Sequence, residues 1–79
     1  MPNDVLLYSP RQGTFHRKSS RFHHGARVIE NQVIGHIEQG ENLYPITSLA
    51  AGNLVNPIRD GWPVWPGDQI ARISRQRPS

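Results

Sequence analysis

The sequence contains no cysteine, so neither a disulfide nor a thiolate-bound metal can staple so short a chain. Apolar runs never exceed a handful of residues, which excludes a membrane-spanning helix. The opening Met1-Pro2-Asn3-Asp4 lacks the charged and apolar regions of a signal peptide, and the chain is read as cytoplasmic. Helix signals are scarce. Ala26 to Ile34, free of both proline and glycine, shows no sustained 3.6-residue apolar period. No glycine spacing of the G-x-G-x-x-G or P-loop kind cradles a phosphate. The four histidines include no His-x-x-x-His pair, and no Ser-His-Asp set is identifiable, so no metal site, catalytic residue or small-molecule substrate is expected.

What is present is turn chemistry. Seven glycines and seven prolines are dispersed along 79 residues, as short strands joined by tight turns require. The expected strands are Val5–Tyr8, Gly13–Phe15, Val33–Ile37, Leu43–Ile46, Asn53–Val55 and Gln69–Ile73. Pro45 inside one of them places that strand at a sheet edge, because proline has no N–H for a ladder.

An internal repeat organises the chain. Gly25, Val28, Asn31, Gln32, Ile34 and Ile37 align without a gap on Gly61, Val64, Gly67, Asp68, Ile70 and Ile73. Asn31 and Gly67 are residue types that tolerate positive φ in a turn. Ahead of each copy, Ser9 and Gly13 repeat the spacing of Ser48 and Gly52. Two equivalent halves, each covering the apolar face of the other, are the expected result.

These residues carry a resemblance. Asp60-Gly61-x-x-Val64-x-x-Gly67-Asp68-x-Ile70-x-x-Ile73 is similar to the closing motif of biotin/lipoyl attachment domains. Ser9-Pro10-x-x-Gly13-Thr14-Phe15-His16-Arg17 resembles the opening of the biotin carboxyl carrier protein of acetyl-CoA carboxylase, S-P-x-x-G-T-F-Y-R. Gly25-x-x-Val28-x-x-Asn31-Gln32-x-Ile34-x-x-Ile37-Glu38 is similar to its G-x-x-V-x-x-G-Q-x-L-x-x-I-E. The three motifs stand in the family's order, and the resemblance covers about Val5 to Ile73. The resemblance implies an all-β fold, a flattened barrel-sandwich of two four-stranded antiparallel sheets with pseudo-two-fold symmetry. The domain is taken as residues 5–74, with 1–4 and 75–79 as flexible tails.

Two departures bear on function. In the carrier family the hairpin after the glutamate presents A-M-K-M, and its lysine receives biotin. Here Glu41 stands at that position, and the spacing from Glu38 to Gly52 matches the family without a gap. A carboxylate cannot form the amide, so no cofactor is expected. The one lysine, Lys18, lies in another segment. Between Phe15 and Gly25 the carboxyl carrier inserts a protruding thumb, and this chain is shorter there. The implied role is a non-catalytic accessory subunit that docks on a larger enzyme, of carboxylase or decarboxylase type. A genuine carrier with an atypical attachment site, at Lys18, is the alternative.

The docking residues are sought on the surface. Arg17, Lys18, Arg21, Phe22, His23 and His24 form a basic segment with one aromatic, read as an exposed loop suited to an acidic protein partner. No helix-turn-helix, zinc finger or RNA-stacking motif accompanies it, which disfavours nucleic acid. Trp62 joins the set because tryptophan is enriched at interface centres, although it could equally cover a barrel end. Trp65 is read as covering that end.

Overall fold

The computed structural model describes residues 4–75. Eight strands follow one another: β1 (Asp4–Tyr8), β2 (Gly13–Arg17), β3 (Arg27–Val28), β4 (Val33–Gln39), β5 (Asn42–Thr47), β6 (Gly52–Val55), β7 (Trp62–Val64) and β8 (Gln69–Ser74). They form two antiparallel four-stranded sheets, ordered β1-β8-β6-β3 and β5-β4-β2-β7. This is the expected flattened barrel-sandwich. β5 is indeed an edge strand, where Pro45 costs no ladder bond.

The repeat is a structural dyad. Val28 and Val64, Ile34 and Ile70, and Ile37 and Ile73 are all fully buried in one core with Leu7, Phe15, Ile46 and Leu54. Pairing is equally matched. Phe15 opposes Ile37 as Leu54 opposes Ile73, and Gly13 opposes Val64 as Gly52 opposes Val28. Backbone hydrogen bonds then cross between the halves. Asn31 N donates to Ser48 O at 2.7 Å, and Gly67 N donates to Ser9 O at 2.8 Å. Asn31 and Gly67 both hold positive φ, at 70° and 90°. Each buried serine hydroxyl donates to a carbonyl two residues on, Ser9 Oγ to Arg11 O and Ser48 Oγ to Ala50 O, both at 2.6 Å.

The glycines at Gly13 and Gly52 are set by close approach. A Cβ on Gly13 would fall onto the Glu38 carbonyl oxygen, and one on Gly52 onto that of Ser74.

Three differences from the sequence reading concern the fold. β3 and β7 are short strands beyond the six expected ones, and each is paired on one side by a strand of the other half. Asp4, assigned to a tail, begins β1: it pairs with Ser74, and its Oδ2 lies 2.9 Å from Arg72 Nε. The other tail residues, apart from Arg75, lie outside the described residues. Trp65 does not cover the barrel end. It is 58% exposed, in a turn closed by its own N–H donating to Asp68 Oδ2.

Candidate partner-binding surface

The β4–β5 hairpin is intact in shape. Gln39 pairs with Asn42, leaving the two-residue loop Gly40-Glu41. Gly40 has φ 60° at the first loop position, as a type II′ hairpin turn requires. Glu41 is exposed at the tip. Gln39 Nε2 donates to Gln12 O at 2.9 Å, and the Arg11 guanidinium lies 3.9 Å from the Tyr44 ring centre, so the hairpin is braced against the β1–β2 loop. The turn therefore presents a carboxylate at its tip.

Lys18 stands elsewhere. It continues β2, its N–H donating to Ile34 O at 2.9 Å. Its surroundings are a shallow apolar recess with Val33, His36, Leu43 and Pro45, and it sits at no hairpin tip. Nearby, the His16 and His36 rings stack with centroids 5.1 Å apart, and His16 Nε2 lies 2.7 Å from Glu38 Oε1. His36 is thus half-buried against its cross-strand neighbour. Among the described residues no three His, Asp or Glu side chains converge as a metal ion would need.

The expected docking residues are only partly brought together. Phe22 requires a correction. It is 3% exposed, a member of the core and unavailable to a partner as the structure stands. The loop folds back as a compact turn, with Phe22 N donating to Ser19 O and Ala26 N to His23 O, which swings the ring inward. Arg21, lying over that ring at 5.2 Å, stays at the surface. Arg17 is also committed internally. Its guanidinium donates to Ile58 O at 3.2 Å, and its backbone N–H donates to Asp60 Oδ1 at 2.7 Å.

His23 and His24 are exposed but tethered. His23 Nδ1 lies 2.8 Å from His24 O, and His24 Nδ1 accepts the Asn56 N–H at 3.0 Å. The basic loop therefore abuts the segment leading to β7. There Trp62, half exposed at 51%, lines a shallow, open recess with Pro57, Ile58 and Arg59. His24 thus touches the segment 56–60 at Asn56, Arg17 touches it at Ile58 and Asp60, and Trp62 lines its recess, whereas Lys18 lines another one.

Pro57, Ile58 and Arg59 were absent from the sequence reading. The repeat held the signal, since the same offset that pairs Gly25 with Gly61 pairs Phe22 with Ile58 and Ala26 with Trp62.

Neither a protein-family model nor a curated protein matches the sequence. Solved structures do match the fold. A single-chain, multi-domain long-chain acyl-CoA carboxylase matches with a TM-score of 0.81 and 18% identity, over 100% of this chain and 8% of its own. The Kluyveromyces lactis urea carboxylase matches with a TM-score of 0.75 and 24% identity, over 90% of this chain and 6% of its own. The succinylglutamate desuccinylase/aspartoacylase from Rhodobacter sphaeroides matches with 0.76 and 19%, over 94% of this chain and 23% of its own. The chain thus spans less than a quarter of each of these three proteins. At these identities the likeness is one of architecture, and an acylase beside two carboxylases shows that the architecture alone names no activity. The chain has the barrel-sandwich fold of the biotin/lipoyl-attachment domains.

Proposed function

We propose that this chain is an unmodified biotin/lipoyl-like domain that docks on a larger enzyme subunit and stabilises or positions it, in an assembly of the carboxylase or decarboxylase class. The observation that carries the reading is the turn Gly40-Glu41: the hairpin keeps its geometry and its braces, yet its tip bears an exposed carboxylate. An amide to biotin or lipoate needs an amine, and the one lysine of the chain is in a strand extension against an apolar recess. The two carboxylase structures that share the fold support the class of host enzyme. In this reading the domain performs no chemistry itself, and its surface is what acts.

The test is intact mass spectrometry of the protein from its native host, and of protein co-expressed with a biotin ligase and a lipoate ligase. The expected mass is that of the bare chain in all three. A biotinyl or lipoyl group on Lys18 would overturn the proposal in favour of a carrier with an unusual attachment point. Co-purification from the native host is expected to recover one large partner subunit.

A further inference from the structure

The dyad leaves one sheet edge without the guard that its mate carries. β5 and β1 are mates: Pro45 pairs with His36, and Leu6 pairs with Arg72, which the repeat aligns with His36. Both are edge strands, β5 paired with β4 alone and β1 with β8 alone. Pro45 has no N–H to offer a further strand, whereas Leu6 in the matching place has one. The ladder fixes where that N–H points. Just past β1, Ser9 N donates to Asp68 O and Ser9 O accepts from Gly67 N, so the odd-numbered residues turn their backbone toward β8. From the far side, a Cβ on Gly52 would fall onto Ser74 O, and Ile58 N donates to Ile70 O, so the even-numbered residues of β8 turn away from β1. Asp4 and Leu6, opposite Ser74 and Arg72, therefore direct N–H and C=O to the free edge, and Tyr8 follows by alternation.

Sheet edges are ordinarily blunted by shortness, proline, lysine or a bulge. β1 runs for five residues and contains neither proline nor lysine. The irregularity beside it belongs to its neighbour: Leu7 and Tyr8 are consecutive while their partners Ala71 and Gln69 are not, so the extra residue is Ile70 of β8. The other edges are closed. β5 holds Pro45, β3 has two residues, and β7 has three with Pro63 among them. The outward side chains of β1 are largely apolar, with Leu6 38% and Tyr8 51% exposed. Asp4 is the one charge, and Arg72 Nε lies 2.9 Å from its Oδ2.

We propose that the free edge of β1 is a self-association site, where a second copy of this chain adds its own β1 antiparallel to form a two-fold dimer. The strand is complementary to itself. With Leu6 opposite Leu6 of the second copy, Asp4 falls opposite Tyr8, and each pair exchanges both of its outward backbone bonds. Within Asp4–Tyr8, this is the register that leaves no outward N–H or C=O unpaired. On the outer face the two leucines cover one another, and each Asp4 carboxylate stands where a Tyr8 hydroxyl of the second copy can donate to it. No like charges are set opposite one another. A foreign strand would have to carry the same acid, apolar and phenol positions in reverse order, which a second copy supplies by symmetry. Because the remaining edges are closed, assembly stops at two.

The experiment is sedimentation velocity of the full chain between about 10 µM and 1 mM, a range suited to a contact only one strand long. A reversible shift from monomer to dimer, and no further, is expected. Leu6→Pro copies Pro45 onto the mate position, and it is expected to stay monomeric throughout while keeping the β circular dichroism spectrum. Leu6→Lys sets two ammonium groups opposite each other on an exposed face, and it is expected to weaken the dimer by at least about tenfold. That variant decides the matter if Leu6→Pro fails to fold. Pro45→Leu, which opens the second edge, is expected to carry assembly beyond the dimer. A wild-type chain that is monomeric at about 1 mM, or a dimer that Leu6→Lys leaves equally tight, would overturn the site. Its failure leaves the accessory role standing, and biotin on the native chain would remove that role without touching the β1 edge.

Discussion

At Glu41 the side chain is exposed and makes no hydrogen bond among those of the described residues, whereas at Gly40, one position earlier, the backbone itself is specialised. The two residues of the turn therefore answer differently to substitution. Glu41→Lys is expected to change stability by less than about 0.5 kcal/mol, as for other surface positions. Gly40→Met is expected to cost about 1–2 kcal/mol, since φ of 60° crowds a Cβ against its own backbone. Urea denaturation of both variants checks the contrast, and the lysine variant then offers a ligase the hairpin in its native shape. Phe22 is the second residue whose role is set by its surroundings. As part of the core, Phe22→Ala is expected to cost about 3–5 kcal/mol, enough to unfold much of a domain this small. A loop-tip aromatic would cost almost nothing, so the same denaturation curve distinguishes the two placements.

At the scale of elements, the dyad makes paired predictions. β2 approaches the β4 backbone at Gly13 as β6 approaches that of β8 at Gly52, each glycine facing a carbonyl oxygen across the ladder. Gly13→Ala and Gly52→Ala are each expected to destabilise by about 1–3 kcal/mol, by forcing strands apart in a packed core. Similar losses from both, in chemical denaturation, would follow from their equivalence, and a harmless Ala at either would show that the strands adjust. The strands around these glycines were legible in sequence because Phe15, Ile34, Ile37, Leu54, Ile70 and Ile73 alternate with polar or small neighbours. β3 and β7 were not. Two or three residues are too few to show a period of two, and Arg27-Val28 and Trp62-Pro63-Val64 become strands only through partners distant in the chain.

For the whole molecule, the decisive feature is how the halves interleave. In one sheet β8 and β6 are flanked by β1 and β3, and in the other β4 and β2 are flanked by β5 and β7. Each sheet therefore takes its central pair from one half and its edges from the other. Neither half alone can cover its central pair, and an isolated pair of strands is marginal in water. Chains cut between Gly40 and Glu41 are expected to show disordered circular dichroism spectra separately and to recover the β spectrum when mixed. A native-like spectrum from either fragment alone would contradict the interleaving. With pairing this non-local, folding in milliseconds to seconds is expected, as for other all-β domains.

The sequence by itself determined the class of fold and the dyad. Both follow from local chemistry that repeats at fixed spacing: apolar positions and turn residues able to hold positive φ. The tertiary structure alone decided which aromatics are buried. Phe22 sits in a basic, polar stretch and Trp65 in a proline-rich one, and neither context reports on how the barrel end is filled. That end is shaped by Ile58 and Trp62, and by Arg17 some forty positions away, whose guanidinium donates to Ile58 O and whose N–H donates to Asp60 Oδ1. Burial is settled by the volume left over when distant segments meet, which periodicity along the chain does not encode.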